Sequence, residues 1–499
     1  MKKVKKVRRK RVVIIGAGPA GLATAWKLLK EKPGEFSVKI LEESEEIGGI
    51  SRTVNYKGNR MDIGGHRFFT KAKEVQEFWE EVMPEMMERE RVSRIYYRRK
   101  FFDYPVKLNF ATLRSMGFLT AVECGFSYLR AVILPRKPEK SLEDFYVNRF
   151  GKKLYEMFFE GYTEKLWGKH PRDISAEWGA QRVKGLSVRE VLRDSLFKIF
   201  HIRRAAKKVE TSLISKFQYP ELGPGAMWER VASEVREMGG EILLGEKVLR
   251  ILREKTGGFV VKTEENEFLA DDVVSSMAVK DLVRSLENMP REVAKIAKEL
   301  PYRDFVTVGV LVRRLEISSS DSRKLSESLR ERIRTVGVPD NWIYVQDAGV
   351  KLGRIQIFNN WSPKMVKKPG ETVWIGLEYF CREGDEFWRM SEKKCGKMAI
   401  RELTEMGVIR DEEVLDFHRE KVRKAYPAYF GSYAKFSKVR EFLDGIPGLY
   451  LVGRNGQHRY NNMDHSVLTG FRAAEVMMGI RRREEIWAVN TEKEYGEEK

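Results

Sequence analysis

The chain has 499 residues, of which 42% are hydrophobic and 33% charged, a globular balance that excludes a largely disordered chain and a polytopic membrane protein. Its formal charge is +20, and although Lys2, Lys3, Lys5, Lys6, Arg8, Arg9, Lys10 and Arg11 crowd into a basic tail, the remaining body is basic too, which favours phosphates, acidic lipid or nucleic acid as partners. Cys124, Cys381 and Cys395 lie too far apart for a disulfide framework or a CxxC metal site, so no metal and a reducing, cytoplasmic setting are expected; HExxH and GxSxG are both absent, which removes the usual support for zinc and serine hydrolysis.

In chain order, Arg11–Ile15 reads as a β-branched strand, Pro19 to about Lys30 as a helix ended by Pro33-Gly34, and Ser37–Glu42 as a second strand. A short strand followed by glycine is not a signal peptide. Gly16, Gly18 and Gly21 form GAGPAG between strand and helix. The first allows the tight turn, the second lets backbone approach a pyrophosphate, and the third lets helix and strand pack closely. The helix N-terminus offers unpaired N–H groups to phosphate. Glu42, ending the second strand, is placed to accept both ribose hydroxyls, which favours FAD or NAD over NADP. Ile47-Gly48-Gly49 and Met61–His66, with Gly64 and Gly65, would let backbone lie along an extended cofactor, which favours FAD. A second nicotinamide-type GxGxxG is missing.

Residues 72–210 read as largely helical. Within them Met116–Pro135 is the most apolar stretch. Glu123 and Arg130 interrupt it, so the main reading is a core or cap helix and the minor one a helix dipping into a membrane surface. From Gly239 short alternating strands follow, and VTVGVLVRR, NWIYVQ and GRIQIFNNW repeat the pattern over 300–365. A helix at 391–406, the strand GLYLVG at 448–453 and the helix HSVLTGFRAAEVMMG close the chain, with a frayed end from Asn490. The expected fold class is mixed α/β. A Rossmann-like FAD-binding domain is assembled from 11–71, 217–290 and 440–485. A helical cap occupies 72–216 and an antiparallel-sheet substrate domain 291–439, with tails at 1–10 and 486–499.

LEESEEIGGISRT followed by DIGGHRFF resembles the FAD-binding start of the superfamily of amine oxidases, protoporphyrinogen oxidases and UDP-galactopyranose mutases. GRNGQHRYNNMDHS, residues 453–466, resembles the mutase block, and the resemblance runs over nearly the whole chain. It implies a nucleotide-sugar pyranose–furanose mutase that works with reduced FAD, the flavin N5 acting as nucleophile at the anomeric carbon with no net redox change. YEMFFEGYTEKLWG then puts Trp167 toward the substrate, AEWGAQRV and GRIQIFNNWSP place Arg182 and Arg354 on the diphosphate, and Tyr426 and Tyr460 fall on two family tyrosines. His66 is implied beside the flavin and Asn462 near flavin and substrate. The implied cofactor contacts are Gly16, Gly18, Pro19, Ala20, Gly21, Glu42, Gly49, Ser51, Gly64, Gly65, His66, Val248, Gly453, Arg454, Asn462, Met463 and Asp464. Two Arg forks and two phenols suit a doubly charged leaving group, because Arg binds phosphate oxygens bidentately.

No pyrimidine pocket is recognisable in 183–216, so nucleotide and sugar stay open. The alternative within the superfamily is an oxidoreductase of the protoporphyrinogen oxidase or amine oxidase type, which would need no diphosphate clamp. A flavin-free binding module like the GDP-dissociation inhibitors conflicts with the intact GAGPAG and Glu42. Nucleic-acid binding rests on charge alone, without a stacking motif. The expected partner is a nucleotide-diphosphate sugar; weak contact of the tail with acidic lipid and self-association are left open.

Overall fold

The computed structural model describes residues 8–104, 116–176, 215–318, 325–347 and 349–490. The chain begins with the expected βαβ unit: strand Lys10–Ile15, helix Pro19–Glu31, strand Phe36–Leu41. These strands join Glu241–Leu243, Asp272–Ser275 and Leu449–Leu451 in a five-stranded parallel sheet with Lys10–Ile15 at its centre. Val12, Val13, Ile14, Val38, Ile40, Val273 and Val274 are at most 1% exposed, as expected of parallel strands covered on both faces. The helix Met463–Met477 packs on Pro19–Glu31 so closely that a Cβ on Gly470 would stand 2.4 Å from the Ala20 carbonyl oxygen. Thr24 secures the crossing, its hydroxyl bonding the Ala20 carbonyl at 2.8 Å and the Gly470 carbonyl at 3.3 Å.

The second sheet has seven strands in the order Val414–Pro427, Tyr302–Val312, Val373–Cys381, Arg354–Ile357, Trp342–Val345, Ser93–Tyr97, Lys100–Asp103. Pairing is antiparallel except between Trp342–Val345 and Ser93–Tyr97, which run parallel. This corrects the helical reading of 72–210. Residues 87–103 form three strands, two of them hairpin partners turned at Arg98 and Arg99 with φ of +49° and +60°. Such turns are usually signalled by Asn-Gly, and two arginines carry no such signal. Residues 486–490, expected as tail, are also packed. Trp487 is 3% exposed, donates from Nε1 to Asp444 at 2.7 Å, and meets Phe436 edge-on.

A buried joint ties the paired strands Thr53–Tyr56 and Asn59–Asp62 to the helix at Pro224–Glu237. Asp62 accepts from the hydroxyls of Thr53 and Tyr219, and Thr53 in turn receives the Gly225 N–H at 3.0 Å. Burial pushes the Asp62 carboxyl from 3.8 up to about 7, against the two donors. A carboxyl raised on folding contributes stability that is full below about pH 4 and is lost as pH rises through 7. Asp62→Asn is therefore expected to gain stability relative to the parent between pH 4 and 8, by ~2–4 kcal/mol. Denaturant unfolding at the two pH values checks this; a pH-independent difference contradicts it.

Candidate functional site

The carboxyl ends of the parallel strands open into a cavity of 1590 Å³ that continues beneath the seven-stranded sheet. Ordinary single-ligand pockets run to roughly 300–1,000 Å³, so this one has room for a dinucleotide and a second large ligand. Every proposed site residue lying among the described residues lines it, apart from Gly21. Arg182 lies outside the described residues.

At the βαβ end Gly16 turns at φ +102°, with Ser276 Oγ only 2.2 Å from where a Cβ would sit. Gly21 stands under the turn, its missing Cβ 2.0 Å from the Gly16 oxygen. Gly18 precedes the helix as its N-cap, and Gly49 at φ +56° passes against it. Glu42 accepts from the Ala17 N–H at 2.8 Å and from the Ser44 hydroxyl at 2.8 Å, which fixes its carboxylate at the cavity edge. Ser51 and Val248 are buried beside it. Opposite, Gly453 at φ +74° seats against Ala20 and donates its N–H to Thr469 Oγ1 at 2.8 Å. Asn462 caps Met463–Met477 in a capping box with His465. Met463 and Asp464 thus stand at a helix N-terminus facing the cavity, which favours negative charge there. The glycine cradle, the acid and the helix end suit a flavin dinucleotide. His66 adds to this fit: its Nδ1 is buried with no hydrogen-bond partner among the described residues, and burial, with the charges of Arg454 and Arg354, pushes the ring down to about 3. That shift favours the neutral imidazole.

Arg354 begins its strand directly opposite Glu378. Its Nε donates to Glu378 Oε2 at 2.9 Å, Nη2 bonds the same oxygen, and Gln356 holds Oε1 at 2.8 Å. Burial opposes the Arg354 charge, but Glu378 outweighs it and the guanidinium is raised well above its ordinary value. Nη1 makes no hydrogen bond among the described residues, and Arg354 lines the cavity. Gly65 lies over the Gln356 amide, where a Cβ would come within 3.1 Å, so the cofactor loop and the Arg354 side chain share one polar support.

Tyrosines surround this cation. Tyr344 lies 6.0 Å from the Arg354 guanidinium and meets Tyr162 edge-on at 5.6 Å. Tyr426 stacks on Tyr460 at 5.9 Å and 10°. Arg454 stands over both rings, 4.7 Å from Tyr460 and 5.8 Å from Tyr426, held by the Asn461 and Ala425 carbonyls at 2.8 and 3.0 Å. Burial raises the hydroxyls of Tyr162 and Tyr426, with Arg354 pulling the other way; both remain phenols able to donate to anionic oxygens. Trp167 ends the helix Gly161–Trp167 and is 2% exposed. A π-type turn at Glu156–Glu160 precedes that helix; such turns re-aim side chains at functional sites, and Phe158, Phe159, Tyr162 and Trp167 all line the cavity. Arg303 holds the helix end through the Leu166 and Lys165 carbonyls at 2.9 and 3.1 Å.

Sequence reasoning missed Tyr162, Tyr344, Glu378 and Gln356, along with Arg67 and Arg91, two further guanidinium groups on the cavity wall. Tyr162 lies inside the segment quoted for Trp167 and was open to notice. Glu378 and Gln356 declare themselves only through strand register.

A parallel-sheet end with the glycine cradle and a tyrosine-walled cationic end meet in one cavity, the layout of a flavoprotein that binds a dinucleotide. The chain belongs to the flavin-containing amine oxidoreductase family, whose model matches residues 19–478, and its cofactor is accordingly FAD. A Klebsiella pneumoniae protein described as "Probable UDP-galactopyranose mutase" is 27% identical over 180 residues, 34% of this chain and 44% of that protein. An Escherichia coli dTDP-fucopyranose mutase is 28% identical over 199 residues, 38% of this chain and 49% of that protein. The matches thus span less than half the length of these two relatives. The fold is that of a solved reduced UDP-galactopyranose mutase, with a TM-score of 0.79, 96% of each chain covered and 19% identity.

Proposed function

We propose that the chain is an FAD-dependent nucleotide-sugar pyranose–furanose mutase. The observation that carries this is the Arg354 cluster: a partly buried guanidinium held by Glu378, walled by Tyr162, Tyr344 and Tyr426, in the same cavity as GAGPAG and His66. An amine or porphyrinogen oxidase has no need of a cation and several phenols at this place, whereas a departing diphosphate does. The two mutase relatives support the reading and differ between UDP and dTDP sugars in name, so the nucleotide is proposed here only as a class.

In this reading bound, reduced FAD supplies the nucleophile toward the anomeric carbon and the reaction has no net redox change. The chain's residues do the rest. Arg354 Nη1 and the phenols of Tyr426 and Tyr460 hold the diphosphate oxygens as charge develops on them, each charge-assisted bond contributing about 1.5–3 kcal/mol. Arg182 is assigned the second phosphate fork. Arg454 keeps the two phenols parallel. Trp167 and the aromatic wall exclude water from the ring-opening sugar, and neutral His66 offers a hydrogen bond beside the cofactor without adding charge.

The test is conversion of UDP-galactofuranose and dTDP-fucofuranose to the pyranose forms by dithionite-reduced enzyme with no oxidant present. Conversion of either supports the proposal. Oxygen-dependent turnover of an amine or porphyrinogen, without interconversion, overturns it in favour of the oxidoreductase alternative.

A further inference from the structure

The apolar stretch expected as a core or cap helix is the helix Phe118–Ile133, and its apolar side faces outward. Only Cys124 and Ala131 on it are buried. Phe118, Leu119, Val122, Phe126, Leu129, Val132 and Ile133 are 38–81% exposed, with Leu134 continuing the stripe at 69%. No residue of the helix lines the cavity, and no helix among the described residues is long and apolar enough to cross a membrane. The stripe exposes on the order of 900 Å² of apolar surface, above the roughly 300–600 Å² of the largest patch on an ordinary monomer and close to the ~800 Å² that each partner contributes to a standard protein interface.

The pattern within the stripe selects the partner. Leu119, Val122, Phe126, Leu129 and Ile133 are spaced three, four, three and four residues apart, the a/d rhythm by which two helices interlock. The positions flanking that seam on one side are Phe118, Gly125 and Val132, with the glycine at mid-helix allowing close approach. On the other side they are Glu123 and Arg130, of opposite charge. Set antiparallel about a two-fold axis near Ser127 and Tyr128, two copies would layer Val122 on Ile133 and Phe126 on Leu129. Glu123 of each would then face Arg130 of the other, twice. In its own chain Glu123 pairs with Lys153 at 2.7 Å, both exposed, and Arg130 meets no acid among the described residues. A lipid surface would take the apolar stripe but gains nothing from the heptad spacing or from an acid at its edge.

We infer that this face is the dimer interface, covered by the same helix of a second copy of this chain in antiparallel register. The symmetry is closed and isologous, so each helix is fully used and no open polymer results. The inference stands independently of the substrate assigned above.

Light scattering on the eluting, flavin-loaded full chain is expected to give twice the chain mass. Phe126→Asp is expected to halve it with flavin content and melting temperature unchanged, because the side chain is 70% exposed and would not unfold the protein. Glu123→Arg and Arg130→Glu are each expected to weaken the dimer several-fold, and the double exchange to restore it. A parent monomeric across the micromolar range overturns the inference, as does a Phe126→Asp dimer. A monomer that pellets with phosphatidylglycerol vesicles, and loses that with Phe126→Asp, overturns it in favour of lipid. Failure of the double exchange to recover the dimer overturns the antiparallel register.

Discussion

Replacing Arg354 by alanine is expected to lower kcat/KM for the sugar nucleotide by about 10²–10⁴-fold, since one or two charge-assisted bonds to the departing diphosphate disappear. The same change strands Glu378. That carboxylate is fully buried, with one oxygen on Gln356 and the other on the lost guanidinium. Removing one member of a buried pair typically costs 3–5 kcal/mol, because the remaining charge has no compensation. Catalysis and stability therefore fall together, and a single variant does not separate them. Arg354→Met combined with Glu378→Gln removes the stranded charge and keeps an acceptor for Gln356. It is expected to recover most of the melting temperature while activity stays at the level of the single variant. Measuring both quantities on both variants is the check. Recovery of turnover in the double variant would show that Arg354 serves only to neutralise Glu378.

Gly21→Ala is expected to yield a protein purified largely without flavin, its FAD affinity lowered at least tenfold, or ~1.4 kcal/mol. The added methyl would begin 2.0 Å from the Gly16 carbonyl oxygen and 3.1 Å from Ile14. A backbone oxygen in the tight turn that ends a buried strand cannot swing aside as a side chain can. The helix Pro19–Glu31 must instead move off the strand and carry with it the N-terminal N–H groups on which the pyrophosphate relies. The readout is the ratio of visible flavin absorbance to protein, with added FAD expected to raise the melting temperature of the variant less than that of the parent. Full occupancy after purification would contradict the packing argument.

The parts of this molecule legible in the sequence are those whose signal is local. Strand, GAGPAG, helix, strand and Glu42 fall within 32 residues, and each glycine has a steric reason that can be read in place. Gly453 to Asp464 is similarly compact. Strands 87–103 were not legible, because their turn uses Arg98 and Arg99 in the left-handed region and their partner, Trp342–Val345, lies some 250 residues away. Glu378 was invisible for a related reason. Its importance arises from standing across from Arg354 in a ladder, and period-two sequence does not reveal which residue a strand will oppose. The aromatic stretch at 155–167 reads from sequence as one helix with Trp167 toward the substrate, but its π-type turn at Glu156–Glu160, which also leaves Phe158, Phe159 and Tyr162 on the cavity wall, carries no sequence signal. The helix at 118–133 departs in the opposite sense: its apolar content suits a core or cap helix, yet its side chains are exposed, and composition alone cannot distinguish a side chain covered by its own chain from one covered by another molecule.

The strand Leu449–Leu451 borders the parallel sheet, and the helix Met463–Met477 roofs its first helix, so segments far apart in the chain form one layer. Without Leu449–Leu451 the strand Asp272–Ser275 is an open sheet margin, and without Met463–Met477 the face of Pro19–Glu31 is uncovered. An unpaired margin of that kind is a place where a partly folded chain can join another, so docking of this strand and helix shields the sheet as well as completing the cavity.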